Sequence, residues 1–169
     1  MIRKNINDFN TKIFEEFDKN YAIITAGDKF VGFNGMTISW GGLGTLWNKP
    51  VAYIFVRKSR YTHSFMDKSE SLTISFLNKK YKSELSYFGS KSGRDVYKFK
   101  ETGLHASFEP DYNGYFVAEA DYVLKCKKLY STEISLDNLN EDIKNVMYQN
   151  GDLHTMYVYE IKQYLVNEE

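Results

Sequence analysis

Short runs with strand character follow one another closely along this chain, with few helical patterns among them and no regular alternation of strand and helix. That spacing argues for an antiparallel barrel decorated by helices and against a doubly wound parallel sheet. Residues 21–26 read as a strand, Gly27-Asp28 as a turn and residues 29–33 as the hairpin partner. Residues 36–40 form a further short strand bounded by Gly35 and by Gly41-Gly42, and Pro50 precedes the buried-type run at 51–56. More strands are expected at 71–77, 119–130 and 155–166. In 119–130, alternation places Ala120, Tyr122, Leu124 and Cys126 on an apolar face, with Asp121, Lys125 and Lys127 opposite. In the last strand Tyr157, Tyr159 and Ile161 share a face.

Helical periodicity is confined to a few segments. Ile6, Phe9, Ile13 and Phe17 mark an amphipathic helix between Asn5 and Asp18. Residues 61–68 suit a short helix with Ser59 or Thr62 as its N-cap, and 79–88 and 94–101 suit two more, stopped by Gly89 and Gly103. Leu136, Leu139, Ile143, Val146 and Met147 suggest another surface helix. At 169 residues, one core and one domain over 1–169 are expected, mainly antiparallel β with peripheral helices. The 14 Tyr and 12 Phe against 2 Pro favour packed strands over disorder.

Lys plus Arg and Asp plus Glu each number 22, so any anion site has to be local, and neither nucleic acid nor an anionic membrane is expected as a partner. The single cysteine cannot form an intrachain disulfide, and no Cys/His spacing suits zinc. His63, His105 and His154 are dispersed and read as polar surface or interface residues, so no metal is expected. No stretch approaches the roughly 20 apolar residues of a membrane span, and the N-terminus lacks a signal-peptide pattern. A soluble, cytoplasmic protein is expected.

Three segments carry candidate chemistry. The first is Arg57-Lys58-Ser59-Arg60-Tyr61-Thr62, directly after a buried-type strand, where guanidinium groups, hydroxyls and free helix-start amides favour a phosphate. A solvated basic turn is the plain alternative. The second is Lys91-Ser92-Gly93-Arg94, where Gly93 permits close backbone approach and its neighbours supply donors; a capped helix start with water-facing cations explains it equally. The third runs from Asn34 to Gly42 and mixes Met36, Thr37, Ser39 and Trp40 with glycines, a surface suited to a flat aromatic ring or simply to a strand ending in a turn.

Together, the segments 34–40, 46–50, 56–65, 89–95 and 101–104, continued through 119–121 and 126–130, resemble the flavin reductase-like, FMN-binding split-barrel proteins, especially the flavoredoxin-type branch. Gly35, Lys58 and Tyr97 depart from the Ala, Pro and Asp common there, and Tyr97 changes the charge beside the second loop. The resemblance implies an FMN-binding split β-barrel. It implies that Met36, Thr37, Ser39 and Trp40 line the ring and ribityl part of FMN, that Asn34 is a further cofactor-binding residue, and that Arg57, Arg60, Tyr61 and Thr62 surround the phosphate. Lys91 and Ser92 match a second phosphate-side loop, Arg94 either touches the ligand or braces that loop through Asp95, and His154 and Tyr157 are candidates to approach the ring. It also implies a homodimer with FMN near the subunit interface.

No side chain is then needed as a nucleophile, because flavin carries the chemistry. The function implied is an NAD(P)H-dependent oxidoreductase, with NADH or NADPH as donor and a small molecule or protein as electron acceptor. The alternatives are a flavoredoxin-like carrier reduced by a protein partner and a non-catalytic split-barrel binding protein. Cys126, on an apolar face without an adjacent histidine, reads as a packed thiol.

Overall fold

The computed structural model describes residues 1–167. Among them run ten strands: β1 (Ile2–Lys4), β2 (Ala22–Asp28), β3 (Gly32–Ile38), β4 (Gly41–Leu46), β5 (Lys49–Arg57), β6 (Ser71–Phe76), β7 (Ala106–Glu109), β8 (Gly114–Val117), β9 (Tyr122–Glu133) and β10 (His154–Val166). The α-helices are α1 (Ile13–Glu15), α2 (Tyr61–Lys68), α3 (Lys82–Ser90), α4 (Lys98–Thr102) and α5 (Glu141–Met147). The main sheet follows the path β3-β2-β6-β9-β10-β5-β4, with β1 added on β10, and every pairing in it is antiparallel. β7 and β8 form a separate hairpin. The two ends of the path, β3 and β4, are joined only through Ser39-Trp40, so the barrel is split at that corner.

Alternation divides the apolar residues into two layers. Ile24, Ile54, Ile74, Leu124, Tyr157 and Tyr159 fill the barrel interior. Ile23, Leu85, Phe88, Phe99, Val117 and Val123 pack outside it, beneath α3, α4 and the β7–β8 hairpin. Strand β10 serves three neighbours along its length, pairing β5 with its first half, β1 with its last residues and β9 throughout. Register shifts at Val158/Tyr159 and Ile161/Gln163 accompany this, consistent with the local bending that bulges introduce.

Several expectations need revision. The single helix expected at 5–18 is a 3-10 turn (Ile6–Asp8), the short α1 and a π-helical turn (Glu16–Asn20). Asn5 caps that first turn by accepting from Asn7 N at 3.0 Å, a local bond that competes with a continuous helix. Segment 36–40 is not a separate strand: residues 36–38 end β3, Ser39 and Trp40 form the corner, and the glycine run beyond is strand β4. Glycine is required there because a Cβ at Gly41 would lie 2.8 Å from Tyr53 O and 2.9 Å from Phe17. The helix expected at 94–101 covers only Lys98–Thr102, and the β7–β8 hairpin was not foreseen.

Lys125 does not lie on a solvent face. It is 1% exposed, bridges to Glu109 of β7 at 3.0 Å and lies over the Tyr112 and Phe116 rings. Cys126 is fully buried, and burial pushes its thiol pKa far upward, in line with a packed thiol.

Candidate functional site

The split corner opens a cavity of about 490 Å³, within the roughly 300–1,000 Å³ usual for small-ligand sites. Three elements line it. From β3 and the corner come Met36, Thr37, Ile38, Ser39 and Trp40; from β5 and the turn after it, Phe55, Val56, Arg57 and Arg60; from α3, Lys82, Leu85, Ser86 and Gly89. Tyr21 and His154 complete it. The α3 residues recur at three- and four-residue spacing, so one face of that helix forms a wall. Thr37 fixes the wall to β3 by donating its hydroxyl to Leu85 O at 2.6 Å.

A second, polar cavity of about 160 Å³ shares Met36 and Arg60 with the first. Its lining is Asn34, Ser59, Tyr61, Thr62, Ser90, Lys91, Ser92, Gly93, Arg94 and Lys98. Four cations therefore line or border it, and among the described residues no carboxylate does. Arg60 donates to Gly89 O at 2.9 Å, and Lys98 donates to Phe88 O at 3.0 Å while lying over the Phe88 ring. Both thus meet carbonyls in the last turn of α3, where the helix dipole favours positive charge. Burial lowers the pKa of Arg60; burial, then the Arg60 charge, lower that of Lys98 to about 8.

The polar cavity is built tightly. Asn34 donates to Thr62 Oγ1 at 2.7 Å, and both side chains are buried. Gly93 packs against Asn34 and Tyr61 so closely that a Cβ would stand 2.8 Å from Asn34 Cγ and 3.0 Å from Tyr61. Arg94 stacks over Tyr61 at 5.0 Å and donates to Ser59 O at 3.1 Å. Arg60 occupies the N-cap position of α2, and no side chain caps that helix, so its first turn faces the cavity through Tyr61 and Thr62.

The structure thus gathers Asn34, Arg60, Tyr61, Thr62, Lys91, Ser92 and Arg94 around the polar cavity, and Thr37, Ser39 and Trp40 along the larger one. Met36 faces both. Asn34 sits at the polar end. Arg57 lines only the larger cavity: its guanidinium donates to Asp152 O at 2.7 Å and Met147 O at 3.1 Å and lies over Tyr148. His154 also lines that cavity, against Trp40 at 5.1 Å. Its ring accepts from or donates to Tyr148 OH at 2.8 Å, and burial, then Arg57, lower its pKa to about 4. Tyr157 lies in the barrel core, donating to Asp67 at 2.8 Å, and lines neither cavity.

Lys98, Tyr21, Lys82 and Ser86 were not foreseen. A lysine in a polar segment gives no signal of burial, and Lys98 is only 3% exposed, its ammonium held over the Phe88 ring and against Phe88 O. Tyr97, beside it, is exposed, and Lys58 pairs with Glu133, so neither departure from the family pattern enters a cavity. Among the described residues, no group of three His, Cys, Asp or Glu side chains is placed to hold a metal ion, and no helix is long and apolar enough to cross a membrane.

These features define a class: a split antiparallel barrel with an elongated cleft at the split, apolar along most of its length and cationic at one end. The chain belongs to the flavin reductase-like family, whose model, described as "Flavin reductase like domain", matches residues 14–169. Solved structures share the fold. The flavoredoxin of Desulfovibrio vulgaris (Miyazaki F) superposes with a TM-score of 0.70 at 20% identity, covering 99% of this chain and 78% of that one. The flavoredoxin of Methanosarcina acetivorans gives 0.69 at 19%, covering 99% and 76%. The NADH:FAD oxidoreductase of Streptomyces globisporus C-1027 gives 0.65 at 18%, covering 88% and 75%. Among curated proteins, none matches the chain.

Proposed function

We propose that the chain, as a single domain, binds FMN in the paired cavities and acts as an NAD(P)H-dependent oxidoreductase. The observation that carries this reading is the junction of an apolar cavity with a carboxylate-free cationic one at Met36 and Arg60. An anionic tail on a flat ring matches both. Arg60, Lys98, Arg94 and Lys91 would hold the phosphate with the Ser92 hydroxyl and the amides of the first turn of α2. The Gly93 contact with Asn34 and Tyr61 leaves that cradle open where a side chain would disrupt it. Met36, Thr37, Ser39 and Trp40 would lie along the ring, and His154, neutral at pH 7, would add no second positive charge beside Arg57 at that wall.

When bound, FMN would supply two-electron chemistry by accepting hydride and passing electrons onward. The chain's own residues would bind, orient and shield it: Leu85, Phe55 and Val56 exclude water from the inner wall, and Arg57 is positioned to stabilise negative charge. The name of the Streptomyces relative supports a nicotinamide donor. The two flavoredoxin relatives favour a second reading, a flavin carrier reduced by a protein. The purified protein should be yellow, and anaerobic NADH or NADPH should bleach it. Bound flavin that neither nicotinamide reduces would replace the first reading by the second, and a colourless protein that takes up no FMN would leave a non-catalytic binding protein.

We further infer a homodimer with the cavity near its interface, supported by the exposed apolar residues Ile143, Val146 and Met147 on α5 beside Arg57, and by Trp40 at the cavity mouth. Light scattering on the eluted protein tests this, and a monomeric mass would overturn it. A cytoplasmic setting suits the single, buried, reduced Cys126.

A further inference from the structure

The cleft does not end where its cationic pocket would hold a phosphate. At ~1.5 Å per residue, Lys82 lies about 10 Å along α3 from Gly89, and Ser86 stands between them on the same wall. The pairing of the strands puts other residues at this far end. Ala22 opposes both Ile38 of β3 and Phe76 of β6, so Tyr21, which precedes β2, adjoins Ser39-Trp40 on one side and the approach to α3 on the other. The far end is thus framed by Tyr21, Trp40, Ser39, Ser86 and Lys82.

Two properties set this end apart. Among the described residues, the exposed Lys82 makes no ion pair or side-chain hydrogen bond, although most cations around the cleft do; Arg57, Arg60, Arg94 and Lys98 all donate to carbonyls. The adjacent Lys79 and Lys80 raise the local positive potential further. Tyr21 is held at φ 63 and ψ 165, a conformation strained for a non-glycine residue and of a kind that clusters at functional sites. An unpartnered cation over a hydroxyl, beside two aromatic side chains at an open mouth, suits a flat molecule with an acidic substituent.

We propose that this end is an acceptor subsite, with Lys82 and Ser86 selecting flat aromatic electron acceptors that carry an anionic group. The inference rests on the FMN reading for what fills the inner part of the cleft. Lys82 Nζ and Ser86 Oγ bind the acidic substituent, and Tyr21 and Trp40 flank the ring.

The test is calorimetric titration of the oxidised protein as purified with 1,4-naphthoquinone-2-sulfonate and with uncharged 1,4-naphthoquinone, recording the flavin spectrum of each sample. Wild type should prefer the sulfonate. Lys82→Met should cut sulfonate affinity about tenfold and leave the neutral quinone unchanged, Lys82→Arg should keep most of the preference, and flavin content should not move. A yellow protein whose preference is the same in Lys82→Met, or a wild type with no preference, overturns the subsite alone. A colourless protein with a Lys82-dependent preference overturns the flavin reading and keeps the anion subsite; a colourless, indifferent one overturns both.

Discussion

At the scale of single residues, the polar cavity sets binding against stability. Lys98 is buried and Arg60 half-buried, and the two cations repel while each donates to a carbonyl of α3, so the folded chain releases a proton from Lys98 near pH 8, well below the ordinary lysine range. Between about pH 8 and 10.5 the unfolded chain binds more protons at this position, so Lys98 contributes stability that rises with pH over that window. Lys98→Met should therefore raise the melting temperature of flavin-free protein at pH 7, flatten its rise above pH 8 relative to wild type, and weaken FMN binding. Thermal melts from pH 7 to 10.5 beside FMN titrations check this; a variant less stable at every pH and equally able to bind FMN would refute it. His154 works on the acid side. Its folded pKa of about 4 lies below the usual 6.5, so the stability it allows is present above pH 6.5 and is lost as pH falls toward 4. In His154→Gln that part of the acid loss should vanish, visible as a shallower fall of melting temperature between pH 6.5 and 4.

At the scale of elements, the hairpin joining β4 to β5 carries a concentrated backbone demand. Trp47 and Asn48 form its two-residue loop, with Leu46 opposite Lys49, and both have positive φ, 51 and 57. Such loops require left-handed conformations that Asn tolerates and β-branched residues do not. Asn48→Val should cost about 1–2 kcal/mol, read as a lower urea midpoint at unchanged slope, whereas Asn48→Gly should be near neutral. This hairpin also explains what the sequence left unread. Local pattern made 51–56 and 155–166 visible because they are apolar or alternate cleanly, but β4 is Gly-Gly-Leu-Gly-Thr-Leu and exists through its pairing with β5 and the close approach of Gly41 to Tyr53. Alternation puts Lys125 on the face opposite the apolar one, and nothing near it in sequence announces that Glu109, Tyr112 and Phe116 cover it there. In the cleft the same division holds. Segments at 34–40, 57–62 and 91–94 were legible as clusters, while Lys98, Lys82 and Tyr21 enter through the packing of α4, α3 and the start of β2.

At the scale of the whole molecule, a ligand that bridges the two cavities ties together parts of the fold distant in sequence: β3, the start of α2, the end of α3 and the 91–94 loop. Binding to the folded chain alone stabilises it by mass action, about 2.7 kcal/mol at a hundredfold excess over Kd. For a chain of this length that corresponds to about 5–10 °C in melting temperature. The two cavities make separable contributions, because the apolar one recognises a ring and the cationic one a phosphate. FMN should thus raise the melting temperature by that amount, and riboflavin, which keeps the ring and lacks the phosphate, by far less at equal concentration. Gly93→Ala should remove most of the difference between them, since a side chain there displaces Asn34 and Tyr61 at the phosphate end and leaves the ring wall of Met36, Thr37 and Leu85 in place. Raised salt should narrow the same difference by screening the cations of the polar cavity while sparing the apolar contact. Equal shifts from FMN and riboflavin in the wild type would mean that the cationic cavity holds no phosphate, and the assignment of Arg60, Lys91, Arg94 and Lys98 would fall with it.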